Sequence, residues 1–433
     1  MPNADSEHFI HPEQLQIGLF IQLDLHWMEH PFTFGSFKIK SADQIDTLKK
    51  LGLKQIRYSP IKSDVSPLAL TPTTEDAPTS TQAAESTPVP PIAPDPALQA
   101  LLHAKRERLK QHEQRQAQLD ACEKAFGQAA KVVRNINAQI HTQPKETVAA
   151  ADHLVEQMLD SLLSDSDIAI HLMNGKSAGD ELYFHSLNVS VLALMLGREM
   201  KLSREQIHIL GLASLFHDIG KNEVPDRILL KTEGLNRAEQ AIVEQHCQWG
   251  VEAGHRAGLP VPVLKVIAQH HEMCDGSGYP HKLNIDKIDP LARILALVNT
   301  YDNYCNKINA AQSLTPHEGL ALMFAHQKAK FDPIPLNHFI KCLGVYPPGT
   351  LVILSNECYG LVVSVNASRP LKPQVLVFDP ENTPNESIVL DLEFEKGLNI
   401  SKSIKVAQLP REAAFFLSPK KRMTYFFSQS ETK

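Results

Sequence analysis

Cysteine is scarce and scattered: Cys122, Cys247, Cys274, Cys305, Cys342 and Cys358 lie far apart, with no C-x-x-C pair. That spacing supports neither a zinc ribbon nor a disulfide framework, and it suits a reducing cytoplasm. Long apolar runs are missing too. None approaches the roughly 20 residues that a membrane-spanning helix needs. Residues Met1 to Glu7 offer neither a basic start nor an apolar stretch, so no signal peptide is expected. Basic residues are outnumbered, 43 Lys and Arg against 49 Asp and Glu, a net charge of −6. A nucleic-acid polymer calls for a basic footprint and is therefore an unsuitable partner. A small anion held at one basic spot remains open. What is present reads as ordinary soluble protein, with 43% hydrophobic and 21% charged residues. A length of 433 residues fits two or three domains and leaves ample chain for a core.

Along the chain, the odd positions from Ile17 to Leu25 are all apolar, the alternation of a half-buried strand. Ser41 is placed to cap a short helix carrying Ile45, Leu48 and Leu51, Gly52 can end it, and Lys54 to Ser59 reads as a second strand. Residues 1–62 are thus a small α+β domain. From Ser63 to Ala104 there is no Lys, Arg or aromatic residue, and eight prolines from Pro67 to Pro96 stand among Thr, Ser and Ala. Such a segment cannot bury enough apolar surface to offset its ordering entropy, so 63–96 is expected to be a disordered linker. Residues 97–147 form a connecting helix. Leu119, Phe126, Val133 and Ile140 recur every seven residues, with Leu98, Leu102 and Leu109 hinting at the same stripe. Two readings stay open: a dimerising coiled coil, or an amphipathic helix laid on its own domain.

Residues 148–341 are helical in period, with capping boxes at Ser203/Gln206 and Asn236/Glu239. After Tyr346-Pro347-Pro348-Gly349 come short β-branched runs, Leu351–Leu354, Leu361–Val365, Val375–Phe378 and Ile388–Leu392. They predict a small β-rich domain over 342–433. The fold class is mainly α.

Within the helical region His and acidic residues form a series: Glu181 and His185, His217-Asp218, His246, and His270-His271. Glu181 and His185 are four apart, hence on one helical face. His and carboxylate ligands suit Fe, Mn, Zn or Ni, and a carboxylate can bridge two ions. Spacing alone supports a metal site and no more.

The flanking residues go further. Phe216-His217-Asp218-Ile219-Gly220-Lys221 resembles the HDxGK core of the HD metal-dependent phosphohydrolases. His270 to Pro280, read as HHEMCDGSGYP, resembles the HHExxDGxGYP signature of the HD-GYP family at every fixed letter. The likeness covers roughly 150–341 and closes with Phe331-Asp332-Pro333. The first 60 residues also resemble a small domain of unknown function that often precedes HD-GYP domains. The resemblance implies an all-helical HD-domain core around two or three divalent transition metals, Fe or Mn foremost. It makes Glu181, His185, His217, Asp218, His246, His270 and His271 the ligands, with Asp218 as bridge and catalytic centrepiece. Lys221 becomes the phosphate contact, and Gly278, Tyr279 and Pro280 shape the substrate loop. The implied activity is hydrolysis of cyclic di-GMP to pGpG, with GMP as a further product, in bacterial signalling. Diguanylate-cyclase domains become candidate partners, and a homodimer through 97–142 a candidate assembly.

Two departures bear on turnover. Where the family carries Asp-x-Tyr-Asp, this chain reads Asn299-Thr300-Tyr301-Asp302, and an Asn carbonyl brings a ligand position no charge. Where the family places arginines against substrate phosphate, it reads Lys307-Ile308-Asn309-Ala310, leaving Lys307. An active enzyme is the leading expectation. A degenerate domain that senses the nucleotide or a protein partner is the second, and a phosphohydrolase for another cyclic dinucleotide the third.

Overall fold

The computed structural model describes residues 8–25, 30–32, 35–69, 117, 120–136, 138–164, 169–173, 181–231, 233–307, 309, 312–366, 370–379, 388–395, 397–419 and 423–427. The chain divides into two compact units, Met1–Gln114 and Arg115–Lys433. In the first, β1 (His8–Ile10), β2 (Phe20–Gln22), β3 (Ser36–Lys38) and β4 (Ile56–Tyr58) form an antiparallel sheet in the order β1-β4-β2-β3, with helix α1 (Ala42–Lys50). The alternating run supplies the core through Leu19, Ile21 and Leu23, whereas Ile17 at its outer end is 52% exposed. Ser41 Oγ accepts from the Gln44 N–H at the start of α1, and Gly52 takes φ +70° beyond its end. The expected boundary at 62 falls too early. Ser63 Oγ accepts from the Phe20 N–H, Asp64 pairs with Lys38 at 2.8 Å, and the Leu68 N–H donates to Gln14 O. Backbone and side-chain hydrogen bonds dock this stretch despite its composition. The linker reading for 70–96 lies outside the described residues.

The second unit holds the helical core. Helix α2 spans 120–136, followed by α3 (Pro144–Ser164), strand β5 (Ala169–Leu172), α4 (Glu181–Glu199), α5 (Arg204–Phe216), α6 (Asp226–Leu229) and α7 (Arg237–Glu244). Then come α8 (His246–Ala257), α9 (Val261–Gln269), α10 (Pro290–Cys305), α11 (Pro316–His326) and α12 (Pro333–Leu343). Both expected capping boxes form, at the starts of α5 and α7. Among the described residues no helix is long and apolar enough to cross a membrane.

Of the two readings of the heptad stripe, the structure takes the intradomain one. Cys122, Phe126, Ala129, Val133, Ile136 and Ile140 are all buried in the core of this unit. That face is wider than a two-position seam, and Phe126 stacks on Phe184 at 5.6 Å. The described part of the stripe is therefore already covered. Leu98, Leu102, Leu109 and Leu119 lie outside the described residues.

The expected β-rich C-terminus is present but is not a domain apart. Strands β6 (Leu351–Leu354), β7 (Tyr359–Asn366), β8 (Gln374–Val377), β9 (Ile388–Asp391) and β10 (Ile400–Ile404), helix α13 (Arg411–Leu417) and strand β11 (Tyr425–Phe427) follow α12. The sheet runs β10-β6-β7-β5-β11, with β8 joined to β7 and β9 to β8. Strand β5 is contributed from ahead of α4, and Tyr425 and Phe426 of β11 belong to the helical core. Four residues, Ala-Ile-His-Leu, are too few for a period to show.

Candidate metal centre

His185 lies on α4, and His217 closes α5. Asp218 precedes a 3₁₀ turn, Ile219–Glu223, His246 opens α8, and His270 and His271 follow α9. Gly220 brings two of these elements together. A Cβ there would come within 2.0 Å of His246 O and 2.4 Å of Gly250 N, so only glycine allows the turn to touch α8.

The ring nitrogens are sorted by their partners. Nδ1 of His217, His246 and His270 lies 2.7, 2.6 and 2.6 Å from the carbonyls of Ser214, Val243 and Ile267. A carbonyl only accepts, so each Nδ1 carries the proton and each neutral ring presents a bare Nε2. His185 is set likewise, its Nδ1 2.6 Å from Asp302 Oδ2. The bare nitrogens then face one another: His246 Nε2 to His270 Nε2 and His185 Nε2 to His217 Nε2, each at 3.2 Å. Two lone pairs at that distance repel unless a positive charge lies between them. A proton on His217 or His246 is disfavoured, because burial pushes His217 down to about 4 and His246 to about 3. Burial, with His270 and His246 adding to it, also holds His271 well below the usual imidazole range.

Asp218 stands between the two pairs. Its buried Oδ1 has no hydrogen-bond partner and lies 3.5 and 3.8 Å from Nε2 of His246 and His270. Its Oδ2 lies 3.5 and 3.4 Å from Nε2 of His185 and His217, and 2.6 Å from Lys221 Nζ. Burial would raise this carboxyl, but His217 and Lys221 hold it well below the usual carboxylate range. Two ligand groups result, Asp218/His246/His270/His271 and His185/His217/Asp218, with donor atoms within 4.8 Å of one another in each. A metal–nitrogen distance of about 2.1 Å in near-tetrahedral geometry separates ligands by about 3.4 Å. The residues fit a pair of cations bridged by Asp218. Cys247 Sγ, 3.8 Å from His246 Nε2, stays a thiol because burial pushes it up to about 12, so the donors are imidazole and carboxylate.

The loop after His271 folds back over it. Tyr279 stacks on His271 with ring centres 4.5 Å apart, and its N–H donates to His271 O. Burial raises the Tyr279 phenol far above its usual range, so it packs as a neutral ring. A Cβ on Gly278 would come within 2.4 Å of His271 O and Met273 N. Buried Glu272 ties the loop down, accepting from the N–H groups of His281 and Leu283 at 2.6 and 2.8 Å.

Six of the seven ligands named from the sequence thus converge, with Lys221 on the bridge. Glu181 opens α4 one turn before His185, and its side chain lies outside the described residues. Asn299 is buried on α10 and its Oδ1 accepts from Asn303 Nδ2 at 2.8 Å. Pro280 and Lys307 are exposed. Ile308 lies outside the described residues. Asp302, quoted from the sequence without a role, is the residue that was missed. It sits three positions after Asn299, hence on the same helical face, and that spacing was the available signal.

A carboxylate between two imidazole pairs inside a helical bundle has the donor set of a metal-dependent hydrolase centre. The HD domain model matches residues 97–334, a domain of unknown function (DUF3391) matches 8–151, and a KOW domain associated with HD domains matches 351–412. The cyclic di-GMP phosphodiesterase PA4108 of Pseudomonas aeruginosa is 32% identical over 372 residues, 84% of this chain and 83% of that one. The cyclic di-GMP phosphodiesterase response regulator RpfG of Xanthomonas campestris is 31% identical over 148 residues, 34% of this chain and 39% of its own. The 3′3′-cGAMP-specific phosphodiesterase 2 of Vibrio cholerae is 29% identical over 182 residues, 41% and 35% of the two chains. The chain belongs to the HD-GYP family of HD metal-dependent phosphohydrolases.

Proposed function

We propose that the protein hydrolyses cyclic di-GMP, opening one phosphodiester to give pGpG and, in a second turnover, GMP. The observation that carries the reading is the pair of facing imidazole lone pairs on either side of Asp218. The substrate follows from PA4108, with which most of the chain aligns. His185, His217, Asp218, His246, His270 and His271 would hold two divalent ions, with Glu181 and Asn299 as further ligands. The histidine and carboxylate donor set suits Fe or Mn. When bound, such a pair acidifies a water and screens phosphate charge.

The protein's own part is positional and electrostatic. Asp218 stays ionised and keeps the two imidazole groups in register. Lys221, 2.6 Å from Asp218, is within reach of a phosphate oxygen that enters beside the bridge and adds a positive charge there. In hydrolysis the water oxygen bonds to phosphorus, the P–O bond to the sugar 3′ oxygen breaks, and that oxygen takes the proton the water gives up. Tyr279 and Gly278 close one wall around His271, and Lys307 supplies charge from the loop after α10. Four of the six cysteines are buried and no two form a C-x-x-C pair, which supports a cytoplasmic setting.

The test is metal analysis on protein prepared without oxygen, with hydrolysis of cyclic di-GMP and 3′3′-cGAMP measured on the same sample. His217→Ala and Asp218→Ala should lose most bound metal and at least a hundredfold in rate. Wild-type protein that holds no metal and gains none on reconstitution overturns the assignment. The neutral Asn299 favours one second reading, a sensor that binds the nucleotide without turnover. Metal-loaded, inactive protein that binds cyclic di-GMP would be that sensor, and preference for 3′3′-cGAMP would move the substrate.

A further inference from the structure

The segment carrying Met423, Thr424 and Tyr425 is tied to more than its own sheet. The Met423 N–H donates to Asn306 Oδ1 at 2.7 Å, and Met423 O accepts from Nδ2 of both Asn306 and Asn188, at 2.8 Å each. The Tyr425 N–H donates to Asn188 Oδ1 at 3.0 Å. Each of these amides makes a second donation to the same oxygen, Asp302 Oδ1, at 2.9 Å from Asn306 and 3.1 Å from Asn188. The other oxygen of Asp302 holds His185 Nδ1 at 2.6 Å. From the C-terminal backbone to a metal-directed nitrogen the path is one Asn, one Asp and one imidazole, with Asn188 and Asp302 fully buried.

The chemistry of the link is specific. Each Asn donates twice and accepts once at the same time, which a primary amide can do and a carboxylate cannot. The centre is also asymmetric in how its rings are held. His217, His246 and His270 are oriented by carbonyls three residues back in their own chain, which follow their helices. His185 is oriented by a side chain whose other oxygen is clamped through the C-terminal segment. We infer that Asn188, Asn306 and the backbone of 423–425 are positioning elements for the His185/His217 ion site. The C-terminal strand is then a working part of one ion site and not of the other. Displacing it weakens that ion selectively. This rests on the metal reading above and goes beyond it by assigning one ion to the control of the chain's far end.

The experiment titrates metal-free, full-length protein with Mn(II) and counts tightly bound ions by equilibrium dialysis, alongside the thermal midpoint of each metal-free sample. The variants are Asn306→Asp, Asn306→Ala, Asn188→Ala and a chain ending at residue 422, with His185→Ala marking which affinity belongs to that site. Wild type should hold two tight ions. Asn306→Asp keeps the shape but turns donors into acceptors, and should weaken the His185 ion 10- to 100-fold, the range for lost ligand support. The other ion should keep its affinity, and Asn306→Ala should do the same with a smaller loss. If the shortened chain fails to fold, the isosteric Asn306→Asp variant carries the test. Two tight ions in every Asn variant would overturn the inference. So would equal weakening of both ions in step with the metal-free midpoint, the mark of a merely structural role. Wild type that binds no Mn(II) would instead overturn the metal reading itself.

Discussion

A neutral imidazole has one proton to place, and the local backbone decides where. In three of the four facing rings the choice follows from a carbonyl three residues back, so the ligand nitrogen is fixed before any ion arrives. Asn299 is one of the two departures from the family pattern that the resemblance marks, and it yields a direct prediction. The residue is 2% exposed, one turn before Asp302, and a carboxylate there would still accept from Asn303 Nδ2. Asn299→Asp adds a full negative charge in a partly dry setting, where Coulomb attraction is weakly screened. We expect Mn(II) affinity to rise tenfold or more by equilibrium dialysis, and cyclic di-GMP hydrolysis to rise with it. No change in either would mean that Asn299 faces no ion. The histidines that converge on Asp218 were legible because adjacent titratable pairs and two signature runs mark them. The support they need was not, since Asp302 and His185 are 117 positions apart and meet only through the packing of α4 on α10.

At the scale of elements, α2 and β5 carry the predictions. Phe126 packs between Phe184 and Phe426, 5.6 and 5.8 Å away. Phe126→Ala should cost about 3–5 kcal/mol of the second unit's stability, with a urea midpoint independent of protein concentration. A concentration-dependent midpoint would restore the coiled-coil reading. In β5, burial pushes His171 down to about 4 from 6.5. The unfolded chain therefore takes up this proton near pH 6.5 and the native sheet only near 4. Stability is fully present above 6.5 and lost as pH falls through that window, because the unfolded state binds more protons. At pH 5.5, one unit below the unfolded value, the loss is about 1.4 kcal/mol. His171→Leu should remove about 1.4 kcal/mol of the fall in urea stability between pH 7.5 and 5.5, and an unchanged fall would refute it. The helices capped by Ser41, Ser203 and Asn236 were readable from local chemistry. Strands β6, β8 and β9 were readable from their β-branched runs, but β5 was not, because its partners β7 and β11, and not its own sequence, make it a strand.

Over the whole molecule, the covalent order of segments and their order in the second sheet differ. Strand β5 leaves the chain before α4, pairs β7 on one side and β11 on the other, and so sits inside a sheet otherwise built after α12. Tyr425 and Phe426 are buried in the helical core, Tyr301 OH lies 3.5 Å from Tyr425 OH, and the Met173 N–H donates to Thr424 O at 2.7 Å. A fragment ending at 341, the boundary read from the sequence, would strip both neighbours from β5 and remove Tyr425 and Phe426, which are buried in the helical core. Each aromatic buries about 150–250 Å², and at roughly 25 cal/mol per Å² the pair alone approaches the 5–15 kcal/mol that holds a typical domain together. We therefore expect residues 115–433 to unfold in one cooperative transition and to bind metal as the full chain does. Residues 115–341 should show helical far-ultraviolet circular dichroism without a sharp melt, and bind Mn(II) at least tenfold more weakly. A fragment 115–341 that melts cooperatively and keeps both ions would show the β-rich segment to be an appendage, and the metal centre complete without it.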